Sequence, residues 1–544
     1  MPLPKALSPA ARDLLDTLHR RAAARRPWGR SAEPEPELGA LVATGELAAV
    51  PELLPLALAG PADWLPDVRA ALAGLTWPAL PDLLPALDAR LREGYLAPPA
   101  SHNSWWDLTP ASLGHLAVET DHDLLLVGLC ASHPNGHVRE QAVVRLAHSN
   151  PDVALPFLLL RVNDWVPAVR LRARTAVVAL LLPAAAAALV RWLPLFDRLA
   201  LARRVAHDDL LEQVDTVLRN PDSRAALEAG MRSPDRRVRR RCYPIAVTGS
   251  ETGSGDLIRA AASDPDVLVR LWACQTARRL PGGDLQRDLM MAAATDRFAR
   301  VRRIGFEYWK ADSGSDADRV REDFLLDPAP GLRADAQEDH RARGLTDLAG
   351  WYRAQLEAAR GRRLAAAIAG LSETGRQEDA DLLLRFLGHG SARVRRIALR
   401  GVNRLQPEQA LPHLVDALVS GAGLVAREAA RCLARRLGEL DPPSLWAGAS
   451  AGAGQLVRCR LLLLYRGLPK WTWLEFILRA VAASDGRLQA LGITELRRWY
   501  GEFNRRQSPL PAELHQSLTI LLDAVADRIP ASLVGEIRFV LRQQ

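Results

Sequence analysis

Lysine is almost missing from this chain. Lys5, Lys310 and Lys470 are the only three, so 68 of the 71 basic residues are arginine, within a formal net charge of +8. A GC-rich coding bias gives the same excess without selection for an anionic partner, so charge alone does not point to nucleic acid. Five cysteines (Cys130, Cys242, Cys274, Cys432, Cys459) lie far apart with no C-x-x-C pair. That spacing excludes a disulfide framework and fits small core residues in a reducing compartment. Aromatics are only 5 %, and no segment alternates β-branched and polar residues as a half-buried strand does. The longest apolar run, residues 176–190, is broken by Pro183 and is shorter than the ~20 residues that cross a bilayer. The opening MPLPKALSPAARDLLDTLHRRAAARR has no apolar signal core. The expectation is a cytoplasmic protein without a membrane partner.

Motifs of catalysis are equally scarce. G-x-S-x-G, H-E-x-x-H and a Walker lysine do not occur. TGSETGSGD (248–256) is glycine-rich ahead of a helix but lacks the lysine and the preceding strand of a phosphate loop. It is expected to be an inter-helix loop with Asp256 as N-cap. Cys130, His133 and His137 have ligand-like spacing, but Pro134-Asn135-Gly136 makes the interval a turn and no second pair follows. Asp312, Asp316 and Asp318 do not fit a calcium loop. No enzyme activity, metal site or cofactor is expected.

What the chain has in abundance is one phrase. In GSARVRRIALRGVNRLQPEQALPHLVDAL (390–418), Val394, Ala398 and Val402 fall on one helix face. Pro407 ends that helix, and a second amphipathic segment follows with Leu411, Leu414, Val415 and Leu418. Related V-R phrases place arginines at 139, 170, 239, 270, 302, 395, 427 and 458. Most neighbours are 31 or 32 residues apart, and the two longer gaps, 69 and 93, are about two and three periods. A fixed period of this length marks a solenoid. The expected fold is all-α, an α-solenoid of antiparallel helix pairs with a period of about 31–32 residues. Small residues four places after each valine (Ala142, Ala173, Ala273, Gly305, Ala398) admit close helix approach.

SPDRRVRRRC (233–242), SDPDVLVRLWA (263–273), TDRFARVRRIG (295–305) and GHGSARVRRIA (388–398) carry a resemblance to the HEAT-like repeat family in its bacterial form. That repeat opens D-x-x-x-V-R-x-x-A; the last copy lacks the aspartate. Leu155-Pro156, Leu193-Pro194 and Leu411-Pro412 sit where the family's second-helix proline is expected. The resemblance covers roughly residues 100–500 and implies architecture far more than function.

The expected organisation is an N-terminal helical region over 1–96, divergent repeats or a cap, then HEAT-like repeats over 97–310. A polar interruption or hinge is expected over 311–349, followed by repeats and a C-terminal cap over 350–544. Ser8 is the expected N-cap of the first helix, and Thr109-Pro110 starts another. The arginine after each valine is expected to pair with aspartates such as Asp235, Asp266 and Asp296 in ladders between repeats. Its neighbours Arg237, Arg240, Arg300, Arg303, Arg393 and Arg396 form a candidate anion-binding stripe. Function is read from the architecture as a non-enzymatic scaffold or adaptor binding another protein through the solenoid surface. The alternative is nucleic-acid binding through the arginine stripes, with a link to DNA repair because some HEAT-like proteins are glycosylases for alkylated bases. No catalytic motif of theirs is matched. A lyase or chaperone for a pigment protein shares the repeat type without specific support. Arg497-Arg498-Trp499-Tyr500, Trp471 and Trp473 are expected to pack the last repeats.

Overall fold

The computed structural model describes residues 7–23, 34–92, 105–202, 204–249, 253–420, 423–449, 454–502 and 508–542. Among these there are 32 α-helices and no strand. The chain divides into two compact units, Met1–Ile304 and Gly305–Gln544.

In the first unit, Pro9–Ala23 begins at Ser8, whose hydroxyl accepts the Ala11 N–H at 3.2 Å. Glu35–Thr44, Val50–Ala59, Leu65–Thr76 and Leu80–Arg92 follow. Thr109 caps Pro110–His115 through a capping box. The V-R phrases then form the helices Gly136–Leu146, Pro167–Ala179, Arg236–Thr248 and Val267–Ala277. Each motif valine and the small residue four places on are buried, as in Val138 with Ala142 and Val269 with Ala273. Second-layer helices such as Pro151–Val162 and Ala186–Leu199 carry interior prolines. Pro156 cannot donate to the carbonyl four residues back, and that carbonyl, Asp152, accepts the Trp192 indole N–H at 3.2 Å instead.

The second unit continues the pairing with Ser315–Leu325 and Pro330–Ala342, then Leu348–Ala358 and Gly361–Thr374. Ala392–Leu405 and Pro407–Val419 pair as the sequence pattern predicts, with Val394, Ala398, Val402, Leu414 and Leu418 buried. Close approach sets the glycines: a Cβ on Gly370 would lie 2.1 Å from the Tyr352 ring.

Two expectations are corrected. The stretch 311–349 holds a helix pair with Val320, Phe324, Leu332 and Ala336 buried, not a polar interruption. Leu332-Arg333 is a copy of the repeat phrase with leucine in place of valine; the acidic residues that disguised it lie mostly on the outside. Asp256 is not an N-cap; it lies in the first turn of Ser254–Ala262, which Gly253 precedes at φ +89°. All five cysteines are buried. Among the described residues no single helix is long and apolar enough to cross a membrane, and the apolar helices on either side of Pro183 meet at 98°.

Candidate interaction surface

The repeat phrase is first a device for holding turns. Seven motif arginines reach back over their own helix starts and donate Nη1–H to the carbonyl six residues earlier. Arg139 donates to His133 at 3.0 Å, Arg170 to Asp164 at 2.7 Å and Arg239 to Ser233 at 2.8 Å. Arg270 donates to Asp264, Arg302 to Asp296, Arg333 to Asp327 and Arg395 to His389, all at 2.6–2.9 Å. Those carbonyls lie in the turn before the motif helix, where backbone acceptors lack helical partners. The residue six places back also closes the turn with its side chain, accepting the backbone N–H two residues on. Asp164 accepts from Val166 at 3.0 Å, Asp264 from Asp266 at 2.7 Å and Asp296 from Phe298 at 2.7 Å. Ser233, His133 and His389 do the same through Oγ or Nδ1.

The remaining guanidinium edge ties one repeat to the next. Arg139 is bidentate to Asp164 at 3.0 and 2.9 Å, Arg239 to Asp264 at 2.9 and 3.0 Å, and Arg270 to Asp296 at 2.7 and 3.2 Å. One arginine therefore fastens its own turn and the turn of the following repeat. Of the expected partners, Asp296 holds this place. Asp235 and Asp266 are instead N-caps of motif helices, accepting from the Arg237 and Leu268 N–H groups. Arg333 uses Glu373 in the same way at 2.9 Å. Arg170 and Arg395 make only the backbone half among the described residues.

The predicted stripe residues divide. Arg237 is held by Asp235 and Asp82, and Arg240 is bidentate to Asp266 at 2.8 and 2.7 Å. That pairing drops the Asp266 carboxyl to about 2. Both guanidinium groups are engaged by carboxylates of the protein itself. Arg300 and Arg303 are exposed on the helix Ala299–Ala311. In the second unit Arg393 and Arg396 are half-buried on Ala392–Leu405, each with a buried Nε that has no acceptor. Arg300 and Arg303 lie one turn apart on their helix, as do Arg393 and Arg396 on theirs.

A different constellation stands out in the first unit. Asp164, fully buried, accepts from Arg139, from Arg92 at 2.7 Å and from Arg161 at 3.2 Å. Asp88 pairs with Arg92 at 3.2 Å and with Arg161. Burial pushes the Asp88 carboxyl above its ordinary value, against the pull of Arg92. Next in sequence, Trp165 is 60 % exposed, with the guanidinium carbons of Arg92 and Arg139 5.6 and 5.5 Å from its ring centroid. A cleft of about 640 Å³ opens beside this network, lined by Asp88, Arg92, Arg161, Arg198 and Arg204 among aliphatic walls. Exposed apolar side chains gather on the same stretch of chain: Trp165, Leu171 at 67 %, Leu182 at 55 % and Leu201 at 81 %. Sequence reasoning passed over this surface because its exposed apolar residues interrupt the amphipathic pattern singly. The D-x5-R spacing of Asp164 and Arg170, repeated at Asp264, Asp296 and Asp327, was the legible trace of the turn.

Elsewhere the cysteines, histidine and tryptophans singled out by the sequence serve packing and turns. Cys130 is fully buried with its thiol pushed up to about 12. His133 uses both ring nitrogens, Nε2 against the Trp105 carbonyl at 2.8 Å and Nδ1 on the Asn135 N–H. No group of His, Cys, Asp or Glu among the described residues is placed to hold a metal ion. Trp471, Trp473 and Trp499 are buried.

By its own repeat geometry the chain is an all-α solenoid of antiparallel helix pairs. No family model and no curated protein matches the sequence. Among solved structures it is similar to the Kap95:Nup1 complex, with TM-score 0.35 and 11 % identity over 98 % of this chain and 84 % of that one. Kap121p gives 0.33 and 14 %, and the chain spans 65 % of it. A tumor overexpressed gene (TOG) domain array that recruits tubulin gives 0.23 and 11 % over 86 % and 98 % of the two chains. At these scores the likeness carries no functional argument.

Proposed function

We propose that this protein is a non-enzymatic scaffold that binds another protein through its solenoid surface, and that the face around Trp165 is where it does so. The supporting observation is the exposure of Trp165, Leu171, Leu182 and Leu201, each more than half exposed, on a segment of 37 residues that also carries Arg198. Exposed apolar side chains mixed with arginine and tryptophan are the composition of protein interfaces. The arginine straps hold adjacent turns in fixed register, so such a face is pre-organised and little ordering entropy opposes docking. Affinity capture with the full chain tests this. A partner retained at high salt by the wild type and lost from Trp165→Ala/Leu201→Ser supports the reading. Identical capture by both proteins overturns it.

Nucleic-acid binding is favoured by one observation. Arg393, Arg396 and Arg404 share a face of Ala392–Leu405 and have no acidic partner among the described residues, while Arg400 between them is bidentate to Glu428. Binding of labelled single- and double-stranded DNA and RNA across a salt series tests it. A steep salt slope lost in Arg393→Glu/Arg396→Glu supports this second reading. No binding at low salt removes it.

A further inference from the structure

The cleft beside Trp165 has a chemistry of its own. Leu80–Arg92, Pro151–Val162, Ala186–Leu199 and the segment up to Arg204 supply its walls. Four arginines line it against a single carboxylate, Asp88, and that carboxylate already accepts from Arg92 and Arg161. Arg198 is exposed and makes no hydrogen bond or ion pair with the described residues. Arg204 donates only to the Asn163 carbonyl, at 3.2 Å. Deeper in, the Arg161 side chain is 1 % exposed, and its Nε–H has no acceptor. The Asn163 Oδ1 is buried with no donor. Such polar groups are costly to leave unmet in a folded protein. Around them stand Leu159, Leu160, Leu195 and Leu199, with Leu201 projecting from the rim.

We infer that this cleft docks an acidic, leucine-type peptide segment of a partner protein, with the partner's carboxylates on Arg198 and Arg204 and its aliphatic side chains against Leu199 and Leu201. The inference rests on the scaffold reading and names the kind of partner. Charge complementarity selects an acidic occupant, because the lining carries three more positive than negative side chains. The aliphatic walls select against single-stranded nucleic acid, whose bases stack on open aromatic faces. Trp165, the nearby indole, has its ring already engaged by Arg92 and Arg139. A volume of about 640 Å³ is within the range of clefts that enclose a specific ligand.

The test is selection of a random 12-residue peptide library on the full-length protein, followed by fluorescence anisotropy of the selected peptides. Wild-type protein is expected to enrich peptides that mix Asp or Glu with Leu, Ile or Phe. Arg198→Glu/Arg204→Glu, which alters exposed side chains, should weaken them at least tenfold with an unchanged thermal melt. Leu201→Ser should weaken them less. Neutral or basic enriched sequences, binding undiminished in the double variant, or full competition by a dT oligonucleotide would each overturn the inference. Capture of a protein partner that survives Arg198→Glu/Arg204→Glu but not Trp165→Ala/Leu201→Ser would leave the scaffold reading standing while this one fails.

Discussion

Replacing Asp164 with alanine is the sharpest perturbation of the strap. Its carboxylate is fully buried and receives Arg139 through two bonds, Arg92 and Arg161 through one each, and the Val166 N–H. The variant leaves Arg139 and Arg161, both essentially without solvent access, short of their counter-charge. Removing one partner of a buried ion pair destabilises by about 3–5 kcal/mol. The same substitution at Asp264 strands only Arg239, which keeps some access to water, so the loss there should be about 1.5–3 kcal/mol. In a repeat array each strap acts between nearest neighbours, so the loss should be local. Hydrogen exchange in urea-free buffer reads it: amides of 136–146 and 151–162 should lose protection in Asp164→Ala, while those of the second unit keep theirs. Arg139→Met/Asp164→Ala should be less destabilised than the sum of the single variants, with a coupling of about 1–3 kcal/mol. A loss below about 0.5 kcal/mol, or protection lost evenly along the chain, would refute the strap.

Other consequences can be measured directly. His133 is held neutral by burial and by Arg139 nearby, with its Nδ1 accepting from Asn135. The unfolded chain therefore binds a proton more readily, and the contribution of this turn is present above the ordinary imidazole value of about 6.5 and lost as pH falls below it. His133→Asn, which can still accept the Asn135 N–H, should flatten part of that pH dependence in urea melts; an unchanged profile would exclude His133 as the source. Gly370→Ala should destabilise by about 1–3 kcal/mol because the new methyl meets the Tyr352 ring, and Gly388→Ala, with nothing within 4 Å, should not; equal effects would contradict the packing account. Arg300→Glu should change stability by under about 0.5 kcal/mol, since Arg300 is exposed and makes no hydrogen bond or ion pair with the described residues.

Much of the fold was legible because one periodic signal dominates. Val138, Val169, Val238, Val269, Val301 and Val394 each fall on the buried face of a helix, and a 31-residue period turns such a face into a stack. Arg333 escaped because leucine stands for valine and the helices around it are acidic. Asp296 was placed in the ladder correctly, but Asp235 and Asp266 were assigned to it because an aspartate four before the arginine and one six before it look alike until backbone geometry separates cap from clamp. Arg237 and Arg240 are engaged by carboxylates the repeat pattern did not assign to them, Asp235 and Asp82 for the first and Asp266 for the second. The surface around Trp165 was illegible for a deeper reason. Exposure is decided by which repeat packs on which, and no local pattern distinguishes Leu201, left in water, from Leu199, nearly covered.

The central claim is that the face around Trp165, and not the exposed stripe arginines, meets the partner. One capture experiment with the full-length protein separates the two, using the wild type, Trp165→Ala/Leu201→Ser, and Arg300→Glu/Arg393→Glu/Arg396→Glu. The account predicts a partner present with the wild type and the arginine variant and absent with the Trp165 variant. A partner kept by the Trp165 variant and lost from the arginine variant would contradict it.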